Sequence, residues 1–140
     1  MAQDVLEPGR LVDRVTLPVE AGKIQELARA TGATDPVHDE GVAPLGYVVT
    51  AAHHRDQRAF VAALGLDIRR IVVGGVSWEY ARPLRAGDVL DAVRRVEGEE
   101  RREGRSGTLR IVTLVTEFSD ADGAVVVTQR ETLIERGAAA

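Results

Sequence analysis

Cysteine is missing altogether from the 140 residues. That excludes a disulfide framework, a thiolate nucleophile and a zinc-thiolate centre. Lysine is nearly missing: of 18 basic residues Lys23 is the single Lys, and the arginines are scattered rather than gathered in a block. Combined with a net charge of −4, this argues against broad nucleic-acid binding. No apolar run approaches the roughly 18 residues that a membrane span needs. Met1–Arg10 also lacks the apolar core of a signal peptide, so a cytoplasmic protein without membrane contact is expected. Linkers, repeats and low-complexity tracts are absent apart from the short tail Gly137–Ala140. What remains is an ordinary globular composition, 44% apolar and 29% charged, in a length that suits one domain over residues 1–140.

Punctuation and periodicity divide the chain. Leu11–Leu17 alternates weakly and reads as a short strand ended by Pro18. Glu20–Thr31 carries Ile24, Leu27 and Ala28 at helical spacing, with Gly32 as its stop. Thr31–Val42 is dense in Gly, Asp and Pro and is expected to be a loop. Pro44–Leu64 has the strongest helical signal: Pro44 suits a first-turn position, and apolar residues from Leu45 to Leu64 fall on most faces, so this helix should be enclosed. The remainder reads as β, over Ile68–Tyr80, Asp88–Val96, Thr108–Phe118 and Ala124–Ile134, with turns at Arg85–Asp88, Arg102–Gly107 and Asp120–Gly123. A meander cannot bury its apolar face alone. Wrapping it around the Pro44–Leu64 helix gives an α+β architecture, one curved antiparallel sheet on one long central helix.

Three segments carry a family resemblance: Trp78–Asp88 (WEYARPLRAGD), Asp120–Arg136 (DADGAVVVTQRETLIER) and the helix entry Ala43–Tyr47 (APLGY). On these the chain resembles the hot-dog superfamily, and within it the MaoC-like hydratases and MaoC-like dehydratase N-terminal domains, over roughly Leu11 to Arg136. The resemblance implies chemistry on an acyl thioester carried by CoA or acyl carrier protein. The hydratases of that family place an Asp and a His in a loop of the form G-D-x-N-P-x-H. The corresponding stretch here is Gly32-Ala-Thr-Asp-Pro-Val-His38. His38 keeps the His position, Ala33 replaces the Asp, and Asp35 falls where the family has Asn.

Two adjacent imidazoles, His53 and His54, lie on the expected central helix. Adjacent helical residues point about 100° apart, which does not make a metal site, and no metal or other cofactor is expected. The resemblance to hot-dog thioesterases implies that a backbone N–H at the helix start holds the thioester oxygen, a role Leu45 and Gly46 can fill. The catalytic group then falls about two turns later, which favours His54 as base and leaves His53 and His38 as alternatives. Tyr47, Thr50, His54, Gln57 and Val61 would share one face of an α-helix; His53 would face packing residues. Arg55 or Arg58, if turned inward, could hold a carboxylate or phosphate.

Three functions follow. The first is a thioesterase acting through His54, Leu45 and Gly46. It could first add an amino acid such as glycine across a 2-enoyl thioester, as dual-function hot-dog thioesterases of actinobacterial secondary metabolism do. The second is a 2-enoyl hydratase or 3-hydroxyacyl dehydratase using His38 with Asp35 or Asp39. The third is a non-catalytic partner subunit lending an acyl groove to a homologue. A single hot-dog sheet leaves an edge strand exposed, so a homodimer with sites at the interface is expected.

Overall fold

The computed structural model describes residues 5–105 and 107–137. Met1–Asp4, Ser106 of the expected Arg102–Gly107 turn, and Ala138–Ala140 of the tail lie outside them. The elements run β1 (Leu11–Pro18), α1 (Ala21–Thr31), a 3-10 helix Pro36–Glu40, a second 3-10 helix Leu45–His54, α2 (Gln57–Ala63), a 3-10 turn Ile68–Arg70, then β2 (Ile71–Tyr80), β3 (Val89–Gly104), β4 (Gly107–Ser119) and β5 (Val125–Glu135). The five strands form one antiparallel sheet in the order β1-β3-β4-β5-β2. This is the α+β hot-dog arrangement that the sequence led us to expect. No helix among the described residues is long and apolar enough to cross a membrane.

The central rod differs from expectation. Instead of one α-helix over Pro44–Leu64, Leu45–His54 is 3-10 helical and a break at Arg55–Asp56 precedes α2. Arg55 is extended (φ −124°, ψ 154°), and the Asp56 carboxylate accepts from the Ala59 N–H at 3.0 Å, restarting the helix as an N-cap. The break carries the Arg55 side chain inward, where it is only 5% exposed.

Two smaller differences have local causes. Asp67 caps Ile68–Arg70 by accepting from the Arg69 N–H at 3.0 Å, which delays β2 to Ile71. β3 outruns its expected end at Val96, because its polar continuation pairs with β4 as far as Gly104. Glu99 there is bonded to Arg101 and Arg110.

The sheet's inner face carries two apolar clusters. One gathers Leu17, Ile24, Tyr47, Val48, Leu84, Leu90, Phe118 and Val127. The other gathers Phe60, Val61, Leu64, Val96, Val112, Leu114 and Leu133. Between them a polar belt crosses the sheet at one register, Asp13 opposite Arg94, Arg94 opposite Thr116, Thr116 opposite Gln129, and Gln129 opposite Trp78. Arg94, Thr116 and Gln129 are buried. A buried charge needs partners, and Arg94 has them: Nε and Nη2 donate to Asp13 at 3.1 and 2.6 Å, and Nη1 donates to Glu131 at 2.9 Å. Its guanidinium carbon also lies 3.9 Å from the centroid of the Phe60 ring.

Candidate functional site

His38 lies in the short 3-10 helix Pro36–Glu40. The Asp35 carboxylate opens this turn by accepting from the Val37 N–H at 3.0 Å. Gly41 closes it in the left-handed region (φ 86°), a conformation that favours glycine. The Gln25 amide ties the turn to α1 by donating to the His38 carbonyl at 2.9 Å. On the ring, Nδ1 stands 2.9 Å from the Val42 carbonyl oxygen. A carbonyl can only accept, so Nδ1 donates here, and the tautomer with its one proton on Nδ1 leaves Nε2 bare, the arrangement that a general base needs. The ring is half-buried.

The strand-like stretch after His38 leads straight to the helix start. Val42 bridges Arg85, and the Ala43 N–H donates to the Leu84 carbonyl at 2.8 Å. Pro44 then begins the rod, whose first turn closes when the Tyr47 N–H reaches the Pro44 carbonyl at 3.0 Å. The N–H groups of Leu45 and Gly46 precede that first bond, so they have no intrahelical acceptor. The Tyr80 hydroxyl donates to the Leu45 carbonyl, joining the rod's entry to β2. Burial pushes the Tyr80 phenol up to about 12, which keeps it a neutral donor. Val42 thus links His38 along the chain to the rod's entry, where Tyr80 joins Leu45.

The other expected site residues are dispersed. Tyr47 is fully buried: its hydroxyl donates to the Pro18 carbonyl and accepts from the Glu20 N–H, both at 3.0 Å. Burial raises its pKa. Thr50, also buried, donates to the Tyr47 carbonyl at 2.7 Å. Both therefore serve the rod and its junction with β1, and Tyr47 does not line a groove.

A 3-10 helix has three residues per turn, so Thr50 and His53 share a side, where an α-helix would pair Thr50 with His54. His53 borders a shallow hollow of about 190 Å³ with Thr50 and residues of α1. His54 opens elsewhere, onto a cavity of about 370 Å³ beside β1. At roughly 2 Å of rise per residue, His54 stands about 18 Å along the rod from Leu45. The structure therefore does not bring His54 together with the N–H groups of Leu45 and Gly46. Arg58 is exposed on α2; the inward arginine is Arg55.

Among the described residues no carboxylate bonds His38 directly. Asp35 is spent on its own turn, Ala33 follows the end of α1 with its N–H on the Ala28 carbonyl at 2.8 Å, and Asp39 is exposed. Beyond the rod, β2 forms one rim of the sheet with Val72, Val73, Val76 and Trp78 exposed, and Leu45 (65% exposed) and Val49 are bare on the rod itself.

The residues that sequence reasoning missed are Asp13, Arg94 and Glu131, which surround Arg55. A signal existed: Leu90, Ala92 and Val96 set the inward phase of β3, and Arg94 falls in that phase.

Comparison with known proteins agrees with this architecture. Residues 7–129 match the family model described as "FAS1-like, dehydratase domain region". A UPF0336 protein of Clavibacter michiganensis subsp. michiganensis is 35% identical over 127 residues, which cover 82% of this chain and 83% of that one. Among solved structures, a MaoC-like dehydratase superposes with a TM-score of 0.75 at 25% identity, covering 93% of this chain but only 43% of the longer protein. The C-terminally truncated HadBC (3R-hydroxyacyl-ACP dehydratase) complex from Mycobacterium tuberculosis gives a TM-score of 0.69 at 25% identity, covering 89% of this chain and 96% of that one.

Proposed function

The chain belongs to the FAS1-like dehydratase-region family, within the MaoC-like hot-dog proteins, and on that premise we propose that it interconverts 3-hydroxyacyl and 2-enoyl thioesters. The observation that carries this reading is the bond from His38 Nδ1 to the Val42 carbonyl. It leaves Nε2 bare within the loop that runs directly into the helix start. A thioester carbonyl held by the N–H groups of Leu45 and Gly46 has an acidified α-carbon, because the developing enolate oxygen is stabilised there. His38 Nε2 takes the C2 proton, the C2–C3 double bond forms as the C3–O bond breaks, and the resulting imidazolium returns that proton to the departing hydroxide. Water leaves and the ring is restored. One imidazole thus serves as base and then acid on the same face, and Ala33 in place of the family's Asp does not block the cycle. In the reverse direction the same steps hydrate the enoyl thioester.

The exposed apolar side chains and unpaired edge of β2 support a homodimer, with the acyl chain lying where the two copies meet. Ala33 also favours a second reading, in which this chain lends its groove to a catalytic homologue.

The test is mass spectrometry of crotonyl thioesters, on CoA and on acyl carrier protein, incubated with the purified chain with and without glycine. A 3-hydroxyacyl product is expected, with turnover falling at least ~100-fold in His38→Ala, a typical scale for losing a general base. Equal turnover by His38→Ala would remove the proposal. Free acid that depends on His54 would restore the thioesterase reading, and an amino adduct would restore its conjugate-addition form. Activity only after a homologue is added would favour the partner role.

A further inference from the structure

The cavity beside β1 has Val12, Val15, Ala59, Phe60 and Ala63 as its apolar wall, and Asp13, Arg14, His54, Arg55 and Asp56 as its polar lining. Arg55 is an unusual residue to seal in such a place. Its side chain is 5% exposed, and Nε and Nη2 are buried without a hydrogen-bond acceptor. Its nearest anion, Asp13, lies 3.4 Å from Nε, but both oxygens of that carboxylate are already taken by Arg94. Glu131 gives Oε1 to Arg94. The cluster is neutral in formal charge, yet its hydrogen bonds are distributed unequally, with Arg94 satisfied and Arg55 not. Burial and the neighbouring Arg94 charge lower the Arg55 pKa, consistent with a cation short of partners.

A buried guanidinium with idle donors is costly unless something accepts from it. We infer that this cavity is a binding site for a small carboxylate with an apolar body, its head forked on the Arg55 guanidinium and its tail against Val12, Val15, Ala59 and Phe60. A guanidinium matches a carboxylate in two parallel N–H···O bonds, and the apolar wall favours an alkyl chain over a bare inorganic anion. The volume of about 370 Å³ accommodates a short fatty acid. The site stands apart from His38 and the helix start, so it is independent of the dehydratase reading.

Hexanoate is the probe, with hexanamide and inorganic phosphate as controls, read by calorimetry and by NMR shifts of the Val12 and Val15 methyl groups. For a ligand this size, saturable binding in about the millimolar range is expected. Arg55→Met should weaken hexanoate at least about tenfold, and hexanamide should bind the unmodified protein at least about tenfold more weakly, the scale of a charge-assisted fork. Ala59→Phe, which fills the cavity and leaves Arg55 in place, should abolish binding; a thermal melt of each variant checks that it is folded. Undiminished hexanoate binding by folded Arg55→Met, equal binding of the amide, or phosphate binding as tightly as hexanoate would each overturn the proposal. So would the absence of saturable binding to the unmodified protein. None of these readouts depends on turnover, so failure here leaves the His38 proposal standing, and the reverse also holds.

Discussion

Arg94→Met removes a guanidinium that holds two carboxylates and covers an aromatic ring, while leaving the volume nearly unchanged. In the native protein Arg94 is 1% exposed and makes three hydrogen bonds, two to Asp13 and one to Glu131. After the substitution Asp13 keeps only Arg55, at 3.4 Å, and Glu131 loses its guanidinium. Removing one side of a buried ion pair costs about 3–5 kcal/mol, because an uncompensated charge is left behind. For a domain this size that lowers the melting temperature by roughly 10–15 °C.

The second half of the experiment is the repair. Arg94→Met with Glu131→Leu removes the stranded carboxylate and leaves Asp13 to Arg55 alone, one anion for one cation. The double variant is expected to recover most of the loss, giving a coupling of about 2–3 kcal/mol in a double-mutant cycle. Urea unfolding followed by circular dichroism and by the single tryptophan, Trp78, measures both steps. If Arg94→Met costs less than about 1 kcal/mol, below the range for a broken buried pair, or if the two substitutions simply add, the belt is not the ionic unit described above.

Two further predictions concern stability. Burial alone would raise the Glu99 carboxyl, but hydrogen bonds from Arg110, Arg101 and the Leu6 N–H outweigh it and hold the group at about 2. A depressed carboxylate adds stability that is fully present above its ordinary value near 4.5 and is lost as pH falls toward 2. Acid unfolding should therefore show a loss of roughly 1–2 kcal/mol across that window after allowance for solvent screening. Glu99→Gln should flatten it; an unchanged acid profile in that variant would contradict the assignment. Tyr47→Phe strips the hydroxyl that satisfies both the Pro18 carbonyl and the Glu20 N–H, and it should cost about 1–3 kcal/mol in urea unfolding. Because that hydroxyl is committed to the backbone, turnover per folded molecule should stay the same.

Much of the architecture was legible because each strand carries its own periodicity. β3, β4 and β5 alternate inward apolar residues such as Leu90, Val112, Leu114 and Val127, and the turn Arg85–Asp88 separates β2 from β3 through Gly87. The enclosed rod was legible as apolar on most faces, but its geometry was not. Hydrophobic periodicity reports burial and does not distinguish 3-10 from α winding in a rod enclosed on several sides. The capping carboxylate of Asp56, which interrupts the rod, reads in sequence as one more polar residue in HHRDQR. That single misreading of pitch turned His54 toward Thr50 and the helix start, whereas the true winding sends it to the cavity beside β1. His38 was found through the resemblance of its loop; the role proposed for it rests on the Val42 carbonyl, a contact across the Gly41 turn that no local pattern announces. The Asp13–Arg94–Glu131 cluster draws its members from three strands, so no local window contains it.

The sheet's two rims are chemically unlike. β2 offers bare valines and Trp78, whereas β1, which exposes Leu11, ends at Pro18, a residue without a backbone N–H, and carries Arg14 paired with Asp91 of β3 at 2.7 Å. A ribbon that were sticky at both margins could add copies end on end without limit and grow into fibrils. In the proposed homodimer the β2 margin meets its twin, while the β1 margin ends in a proline that offers no N–H to a further strand. Self-association through this sheet is therefore expected to halt at two.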